Sequence, residues 1–298
     1  MIMLQKLSST ASIGALVAAA LSLAACATVQ PAPQPHYEDS YRHHVVERTA
    51  EASMRAHVIT VDLTQPGVRF GVTPADNSQG MEHTARLTSG YLEETGAKVA
   101  INASYFLPFK GGSEAGHDYY PHVGQPVSVS GAAISGGQQV SLPETHLDDR
   151  VDSIICFDQA RVTIENGQLC PQGFTDGVAA GPRLIEAGQP RAFSGSYSVG
   201  RHPRTAMGIS EDGKTAWIVV VDGRQSHSEG ANLQELTDLF VELGASSAIN
   251  LDGGGSSTLA VAAQDGRAVI VNSPIHTRVP GRERPVANHV VLFAGDSQ

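Results

Sequence analysis

Short apolar runs separated by polar turns dominate the chain, and this pattern predicts a strand-rich fold. Residues 56–63 place His57, Ile59 and Val61 at every second position, which is the rhythm of a strand. Residues 217–221 form a continuous apolar run, which is typical of a strand covered on both faces. The other predicted strands are 68–73, 97–103, 216–222, 247–252, 259–262, 268–272 and 288–293.

Two segments have the spacing of a helix instead. From Asn232 to Leu243 apolar residues recur every three or four positions, Asn232 with Glu235 forms a capping-box pattern, and Gly244 supplies the stop. A weaker helix is predicted over 82–95 and is also followed by a glycine. Many strands and few helices predict an α+β fold, a strand-rich mixed-sheet domain with a few flanking helices.

The N-terminus has the pattern of a secretory signal peptide. A single charge, Lys6, precedes a run of small and apolar residues over 11–25. The run ends in Leu-Ala-Ala-Cys at 23–26, which resembles the lipobox of bacterial lipoproteins and implies that Cys26 is lipidated. A plain signal peptide cleaved nearby, or an uncleaved short membrane helix, is the alternative.

The lipoprotein interpretation predicts the domain organisation and the location of the protein. It assigns residues 1–25 to the signal peptide, 26–44 to the lipidated cysteine and a proline-rich tether, and 45–298 to one folded domain. Ala27 follows the cysteine, and by the sorting rule of such lipoproteins it favours the outer membrane. We therefore expect a lipid-anchored protein of the bacterial cell envelope, in the outer membrane and facing the periplasm.

The other two cysteines, Cys156 and Cys170, fit an oxidising compartment. Residues 161–169 between them look like two short strands around an Asn166-Gly167 turn, and such a hairpin brings its flanks within reach of a disulfide. Two unpaired buried thiols are the alternative. The absence of a Cys-x-x-Cys motif excludes zinc ribbons and thioredoxin-like redox chemistry.

The charge balance restricts the partners. The 298 residues include 30 acidic and 20 basic ones, for a formal net charge of −10. An acidic surface repels phosphate backbones over a broad area, so nucleic acid is not expected as a partner. A small basic pocket for one phosphate is compatible with this balance.

Three predicted strands end at a polar residue followed by small ones, namely at Asn102, Asp222 and Asp252. The third is the most informative, because residues 253–255 are consecutive glycines whose N–H groups can form an anion-cradling nest. A flexible turn is the alternative for this segment. Neither a nucleotide P-loop nor a dinucleotide-binding fingerprint occurs in the sequence.

The segment Asn-Leu-Asp-Gly-Gly-Gly-Ser-Ser-Thr at 250–258 resembles the signature of the phosphodiester glycosidase family. Other elements resemble those of the family and follow its order: Asn-Ala-Ser-Tyr-Phe at 102–106, Ala-Gly-Pro-Arg-Leu at 180–184, His-Pro-Arg-Thr-Ala-Met-Gly-Ile at 202–209, Val-Asp-Gly-Arg at 221–224, Asn-Ser-Pro at 272–274 and Glu-Arg-Pro-Val-Ala-Asn at 283–288. The resemblance spans about 98–294. The glycine-rich stretch 107–146 departs from the family pattern and is predicted to form long loops at a substrate-facing rim.

The resemblance implies hydrolysis of the sugar C1–O bond of a glycosyl-1-phosphodiester, related to a glycan or an exopolysaccharide. Arg204 is predicted to bind the phosphate, or alternatively to be a structural bridge to Asp222 or Asp252. Asp252 is the first candidate for base or nucleophile, or else it caps the glycine turn, and Asp222 is the second candidate. Glu283 and Arg284 form either a catalytic pair or a structural ion pair. The other predicted substrate contacts are Asn102, Thr205, Gly253, Gly254, Gly255, Ser256 and Ser257.

Two other classes of protein fit the same residues. One is a non-catalytic glycan-binding or scaffold lipoprotein, and the other is a metal-dependent phosphodiesterase that breaks the P–O bond. No cofactor is indicated with certainty, although a divalent cation held by Asp222 or Asp252 with loop oxygens fits the composition of the strand ends. The expected partners are a sugar-phosphodiester or phosphoglycan substrate and, through Cys26, a membrane.

Overall fold

Strands are the most abundant regular element of the computed structural model, which describes residues 32–49, 52–144 and 148–295. The predicted signal peptide 1–25, Cys26 and the start of the tether lie outside the described residues, so these assignments stay predictions. From Pro33 onward the chain forms one compact unit. No helix in the described ranges is long and apolar enough to cross a membrane.

The strands form four sheets. The largest contains, in order of pairing, β1 (Tyr41–Arg48), β2 (Met54–Asp62), β16 (Thr215–Val221), β15 (Arg204–Ile209), β17 (Ser247–Asn250), β13 (Arg183–Glu186) and β14 (Gln189–Pro190). A five-stranded sheet contains β11 (Arg161–Asn166), β10 (Ser153–Asp158), β12 (Asp176–Ala180), β8 (Ala133–Ser135) and β9 (Gln138–Ser141). A second one contains β19 (Ala268–Ile270), β18 (Leu259–Ala262), β5 (Val99–Asn102), β20 (His289–Phe293) and β3 (Arg69–Val72). The smallest contains β4 (His83–Thr84), β7 (Pro126–Val129) and β6 (Phe106–Leu107).

The described α-helices are α1 (Thr88–Thr95), α2 (Ser196–Val199) and α3 (Leu233–Leu243). The fold is therefore mostly β, and the α+β prediction holds in this coarser form. The expected mixed sheet is corrected, because each pairing between these named strands is antiparallel. In β16, Ile218 and Val220 enter one hydrophobic core, while Trp217 and Val219 enter the core under α3. The continuous apolar run thus reflects burial on both faces, not parallel pairing.

The α3 prediction is confirmed. Asn232 accepts a hydrogen bond from the Glu235 N–H at 2.8 Å, and the Glu235 side chain accepts one from the Asn232 N–H at 2.9 Å. Gly244 ends the helix in the left-handed conformation, with φ 89°. By contrast, α1 begins only at Thr88, because residues 83–84 of the predicted helix pair with β7 as a strand.

The predicted disulfide between Cys156 and Cys170 is present. The hairpin around it differs from the expectation, because β10 and β11 are joined through Gln159 and the Asn166-Gly167 turn follows β11. Residues 107–146 are not loops throughout, since they contain β7, β8 and β9.

The folded part of the chain also includes residues before position 45. The strand β1 begins at Tyr41, inside the segment 26–44, and pairs along its whole length with β2. Earlier still, Pro35 forms a bridge with Ala263. Part of the segment assigned to the tether is therefore held on the surface of the domain.

Two sheets meet at the segment that follows β17. The Leu251 N–H donates to the carbonyl of Thr205 in β15 at 2.8 Å. The Asp252 N–H donates to the carbonyl of Ala103, just after β5, at 2.9 Å. Because consecutive residues bond to strands of different sheets, the position of Asp252 is determined by the junction of the two sheets.

Candidate active site

Asn102 holds the loop after β17 through hydrogen bonds of its side chain. Its Nδ2 donates to the Asp252 carbonyl at 2.6 Å, and its Oδ1 accepts from the Thr205 hydroxyl at 2.9 Å and from the Thr258 N–H at 3.1 Å. Asn102 and Thr205 are fully buried. The structure therefore gives both residues a role in positioning the loop, in place of the predicted contact with sugar or water.

The three glycines allow close packing rather than an open anion nest. The Gly253 N–H donates to Asp252 Oδ1 at 2.9 Å, and the Gly254 N–H donates to the Pro203 carbonyl at 2.8 Å, so two of the three N–H groups are already used. A Cβ on Gly255 would clash with the Arg284 guanidinium group, so a side chain at this position would displace that group. Glycine thereby lets the guanidinium group lie directly against the main chain.

The two serines that follow are both buried. Ser256 Oγ accepts a hydrogen bond from Arg284 Nη1 at 3.1 Å. Ser257 Oγ has no hydrogen-bond partner among the described residues, and Ser257 is not among the residues that line the cavity beside the loop. Ser256 thus orients an arginine, and the predicted phosphate contacts of both hydroxyls are not formed by this geometry.

A cavity of about 420 Å³ opens above the glycine loop. We call it the arginine chamber. Its lining residues are Tyr105, Phe109, Gly111, Gly112, Ser113, Glu114, Tyr197, His202, Arg204, Arg224, Asp252, Gly253, Gly254, Gly255, Ile275, Thr277, Arg278 and Arg284. Four arginines face two carboxylates in this lining, so the chamber is basic although the whole chain is acidic. An excess of positive charge in a concave site favours an anionic ligand.

Three of the lining arginines, namely Arg224, Arg278 and Arg284, are not fully buried. Arg284 donates from Nε to His276 Nδ1 at 3.1 Å and lies over the Phe109 ring at 4.7 Å. Burial lowers the pKa of Arg284 to about 10, so this residue stays charged at neutral pH. Arg224 and Arg278 have φ values of 59° and 61°, a left-handed conformation that residues with side chains rarely adopt. Such strain is concentrated at functional sites.

Arg204 is mainly a structural residue. It is 1% exposed, and its Nε donates to the Ala231 carbonyl at 3.0 Å, while its Nη2 donates to the carbonyls of Tyr197 and Gly200, each at 3.0 Å. The predicted paired hydrogen bonds to a phosphate are therefore largely replaced by bonds to main-chain carbonyls. Neither aspartate named in the alternative interpretation is its partner in the described structure.

Asp252 is the carboxylate that the glycine loop presents to the chamber. Burial raises its pKa to about 6, and the Ser256 hydroxyl and the charge of Arg284 limit that rise. A carboxyl group with this pKa can exchange a proton near neutral pH, as a general base requires. The same burial raises the pKa of Tyr105 well above its ordinary value, so its phenol stays neutral.

Asp222 does not share the chamber with Asp252. Its carboxylate is 2% exposed and accepts hydrogen bonds from the Ser273 N–H at 2.7 Å and from the side chains of Asn272, His57 and His227 at 3.3, 3.4 and 3.1 Å. Burial acts to raise the pKa of Asp222, but these hydrogen bonds lower it below its ordinary value. Asp222, the second candidate for base or nucleophile, therefore does not lie at the chamber and instead holds a loop.

Glu283 and Arg284 do not act as a pair, because their side chains reach different partners. The Glu283 carboxylate accepts from the Ser89 hydroxyl at 2.6 Å and from the Ser89 N–H at 3.0 Å, at the first turn of α1. It thereby caps a helix that has no local side-chain cap. Of these two residues, Arg284 lines the arginine chamber and Glu283 does not.

Several cavity residues were not among the predicted site residues. Arg224 is the last residue of the Val-Asp-Gly-Arg element at 221–224, in which the predicted site residue is Asp222. Glu114 lies in a loop and Arg278 ends a short 3-10 helix, both without a motif, and their side chains approach each other at 3.8 Å. His202 is the first residue of the element at 202–209. Burial and then the charges of Arg204 and Arg224 lower its pKa, so it is neutral at pH 7.

The described residues contain no cluster of three or more histidine, cysteine, aspartate or glutamate side chains that could hold a metal ion. Asp222 was one of the two expected ligands for a divalent cation. In the structure its oxygens accept protein hydrogen bonds on both sides.

The antiparallel fold thus carries a basic cavity beside Asp252, and the charge of this lining favours an anionic ligand. The chain belongs to the phosphodiester glycosidase family, whose model matches residues 95–293. The resemblance seen in the sequence is thereby confirmed.

The chain is also similar to other known proteins, in sequence or in structure. The SPbeta prophage-derived uncharacterized protein YomE of Bacillus subtilis (strain 168) is 37% identical over 97 residues, which are 31% of this chain and 15% of that protein. Among solved structures, the catalytic domain of zebrafish N-acetylglucosamine-1-phosphodiester alpha-N-acetylglucosaminidase, auto-inhibited by its pro-peptide, has a TM-score of 0.58 at 18% identity and covers 89% of this chain and 87% of that one. A hypothetical protein from Synechocystis has a TM-score of 0.57 at 18% identity, over 86% of this chain and 62% of that one. At these identities the structural matches show the fold.

Proposed function

We propose that the protein is a cell-envelope hydrolase that cleaves the sugar C1–O bond of glycosyl-1-phosphodiesters. One observation supports this most: Asp252, with a pKa near neutrality, lines the same cavity as Arg224, Arg278 and Arg284. Membership of the phosphodiester glycosidase family supports the type of bond, and so does the activity in the name of the zebrafish enzyme. The products are a free sugar and a phosphate monoester.

Asp252 acts on C1 in this proposal. It either takes a proton from water while the water oxygen bonds to C1, or it bonds to C1 itself and water then releases the sugar. In both routes the C1–O bond breaks and its electron pair goes to the phosphate oxygen. The arginines stabilise the departing phosphate by their charge, which lowers the need for a strong general acid.

Heavy-oxygen water tests which bond is broken. We expect turnover of a glycosyl-1-phosphodiester in labelled water to leave the released phosphate monoester free of label, because the water oxygen bonds to carbon. Mass spectrometry of the phosphate product is the measurement, since the hemiacetal of the free sugar exchanges its C1 oxygen with water. The Asp252→Asn variant, purified in parallel, controls for a contaminating hydrolase. Label in the phosphate product would instead mean P–O cleavage, and ligand binding without turnover across a substrate panel would mean a non-catalytic binding protein.

The proposed location rests on the lipobox resemblance at 23–26. A Cys26→Ser variant should no longer incorporate a labelled fatty acid, because the thiol that would carry the lipid is absent. Labelling of growing cells with a tagged fatty acid, followed by purification of the protein, measures this loss, with the unmodified chain as the control. Absence of label from the unmodified chain, or equal label in both proteins, would contradict anchoring through Cys26.

A further inference from the structure

A second cavity, of about 250 Å³, lies beside the arginine chamber. The two cavities share four lining residues, Tyr105, Phe109, Asp252 and Arg284. We call the second cavity the side chamber. Because both cavities include Asp252 and Arg284 in their walls, a single ligand that contacts these two residues can extend into both chambers.

The two chambers differ in chemistry. Arg224 and Arg278 line the arginine chamber but not the side chamber. Phe106 and Leu107 line the side chamber, with the hydroxyl residue Ser130 and with Arg150 as polar members. Apolar and aromatic walls with a few polar groups are typical of pockets that bind an uncharged ring by its faces and hold its polar substituents at specific points.

A glycosyl phosphodiester has the same division of chemistry about one atom. Its C1 carries the sugar ring on one side and the phosphoryl oxygen on the other, and C1 is the atom that must lie against Asp252 if the proposed function holds. The phosphate forms ester bonds to two organic groups and keeps one negative charge. It is therefore attracted to the arginine chamber, which has more arginines than the side chamber.

We propose that the side chamber binds the sugar ring, and that the arginine chamber binds the phosphate with its second ester group. The scissile C1–O bond then crosses the shared wall at Asp252 and Arg284. This assignment rests on the proposed function for the position of C1. It makes Leu107 a specificity-determining residue for the sugar and Arg278 a determinant of phosphate affinity.

Binding of the two product fragments tests this assignment without turnover. Leu107 is 52% exposed, so a Leu107→Trp variant should fold while its larger ring narrows the side chamber. Isothermal titration with a panel of free monosaccharides should show affinity weakened by about tenfold or more, with affinity for inorganic phosphate unchanged. Arg278→Ala should show the opposite pattern. Leu142→Trp, at a 73% exposed leucine outside both chambers, is the matched control and should behave as the unmodified chain does.

The outcomes separate this assignment from the proposed function. If Leu107→Trp weakens phosphate binding and leaves monosaccharide binding intact, the two fragments occupy the opposite chambers and the assignment is overturned. Failure of the unmodified chain to bind any monosaccharide of the panel would also overturn it. If the expected binding pattern is found but no phosphodiester is cleaved, the chamber assignment is supported and the hydrolase proposal fails.

Discussion

An Asp252→Asn variant should lose about 10³-fold in kcat while its KM stays within about threefold of the original value. Asparagine has the same shape and can still accept the Gly253 N–H, but it can neither take a proton from water nor bond to C1. Steady-state and single-turnover kinetics measure the loss. Asp212→Asn, at an exposed aspartate that does not line the cavity, is the control and should retain full activity. A kcat within about tenfold of the original, which is less than the roughly 10²-fold minimum of a general-base effect, would remove Asp252 from the mechanism.

The pH dependence gives a second measurement on the same residue. The ionised form of Asp252 is the reactive one, so kcat/KM should fall as the pH falls through about 6, the value to which burial raises its pKa. A flat profile between about pH 5 and pH 7 would contradict this role.

The Asp252→Asn variant should be more stable than the original chain at neutral pH, although it is less active. The ordinary pKa of Asp252 is 3.8 and burial raises it to about 6, so between these values the folded state binds more protons than the unfolded state. The stabilisation from the protonated carboxyl is present below pH 3.8 and is lost as the pH rises through about 6. Asparagine carries no charge to bury, so the free energy of unfolding at pH 7 should increase by up to about 3 kcal/mol. Urea denaturation at pH 7 and at low pH measures the difference, which should vanish at low pH.

An Arg284→Met variant should lose roughly 10²- to 10³-fold in kcat/KM, the second large effect expected. Methionine keeps most of the volume beside Phe109 but removes the charge next to Asp252. Arg284→Lys should recover only part of the loss, because one ammonium group does not reproduce the planar geometry with which the guanidinium bonds Ser256 and His276. Kinetics over a range of phosphodiester concentrations separate the effect on kcat from that on KM.

The neighbouring residue supplies a matched control. Glu283→Gln should change the free energy of unfolding by at most about 1 kcal/mol, because its amide oxygen can still accept a hydrogen bond from Ser89, and burial, which raises the pKa of Glu283, already disfavours the charged carboxylate. Its kcat/KM should stay within about twofold of the original, since α1 does not line the chamber. Equal losses of activity in Glu283→Gln and Arg284→Met would restore the interpretation of these residues as a catalytic pair.

Local patterns in the sequence predicted the elements whose causes are local. The α3 helix begins and ends where the Asn232, Glu235 and Gly244 signals place it, because a capping box and a left-handed glycine act within a few residues. The α1 helix shows the limit of such signals. Its start depends on Glu283, which is 194 residues away from Ser89 in the chain.

The candidate site also has one part that local sequence patterns predicted and one part that depends on distant segments. The motif at 250–258 identified the family and placed Asp252 correctly at the cavity, because residues adjacent in the chain form that turn. The predicted roles of Arg204, Asp222 and Asn102 were derived from the same kind of motif. Their side chains are instead used by main-chain carbonyls, histidines and a backbone amide of other segments. A motif shows which polar residues are present but not which partners reach them first.

By itself, the sequence determined the strand-rich character of the chain, the capped α3 helix, the Cys156–Cys170 disulfide and the family. Only the tertiary structure decided that Asp252 shares a cavity with Arg224, Arg278 and Arg284, and that a second chamber meets it there. The physical reason is that hydrogen-bonding and turn preferences act over a few residues, and these leave a readable pattern. The charge that surrounds one carboxylate depends instead on how loops distant in sequence pack across the junction of two sheets.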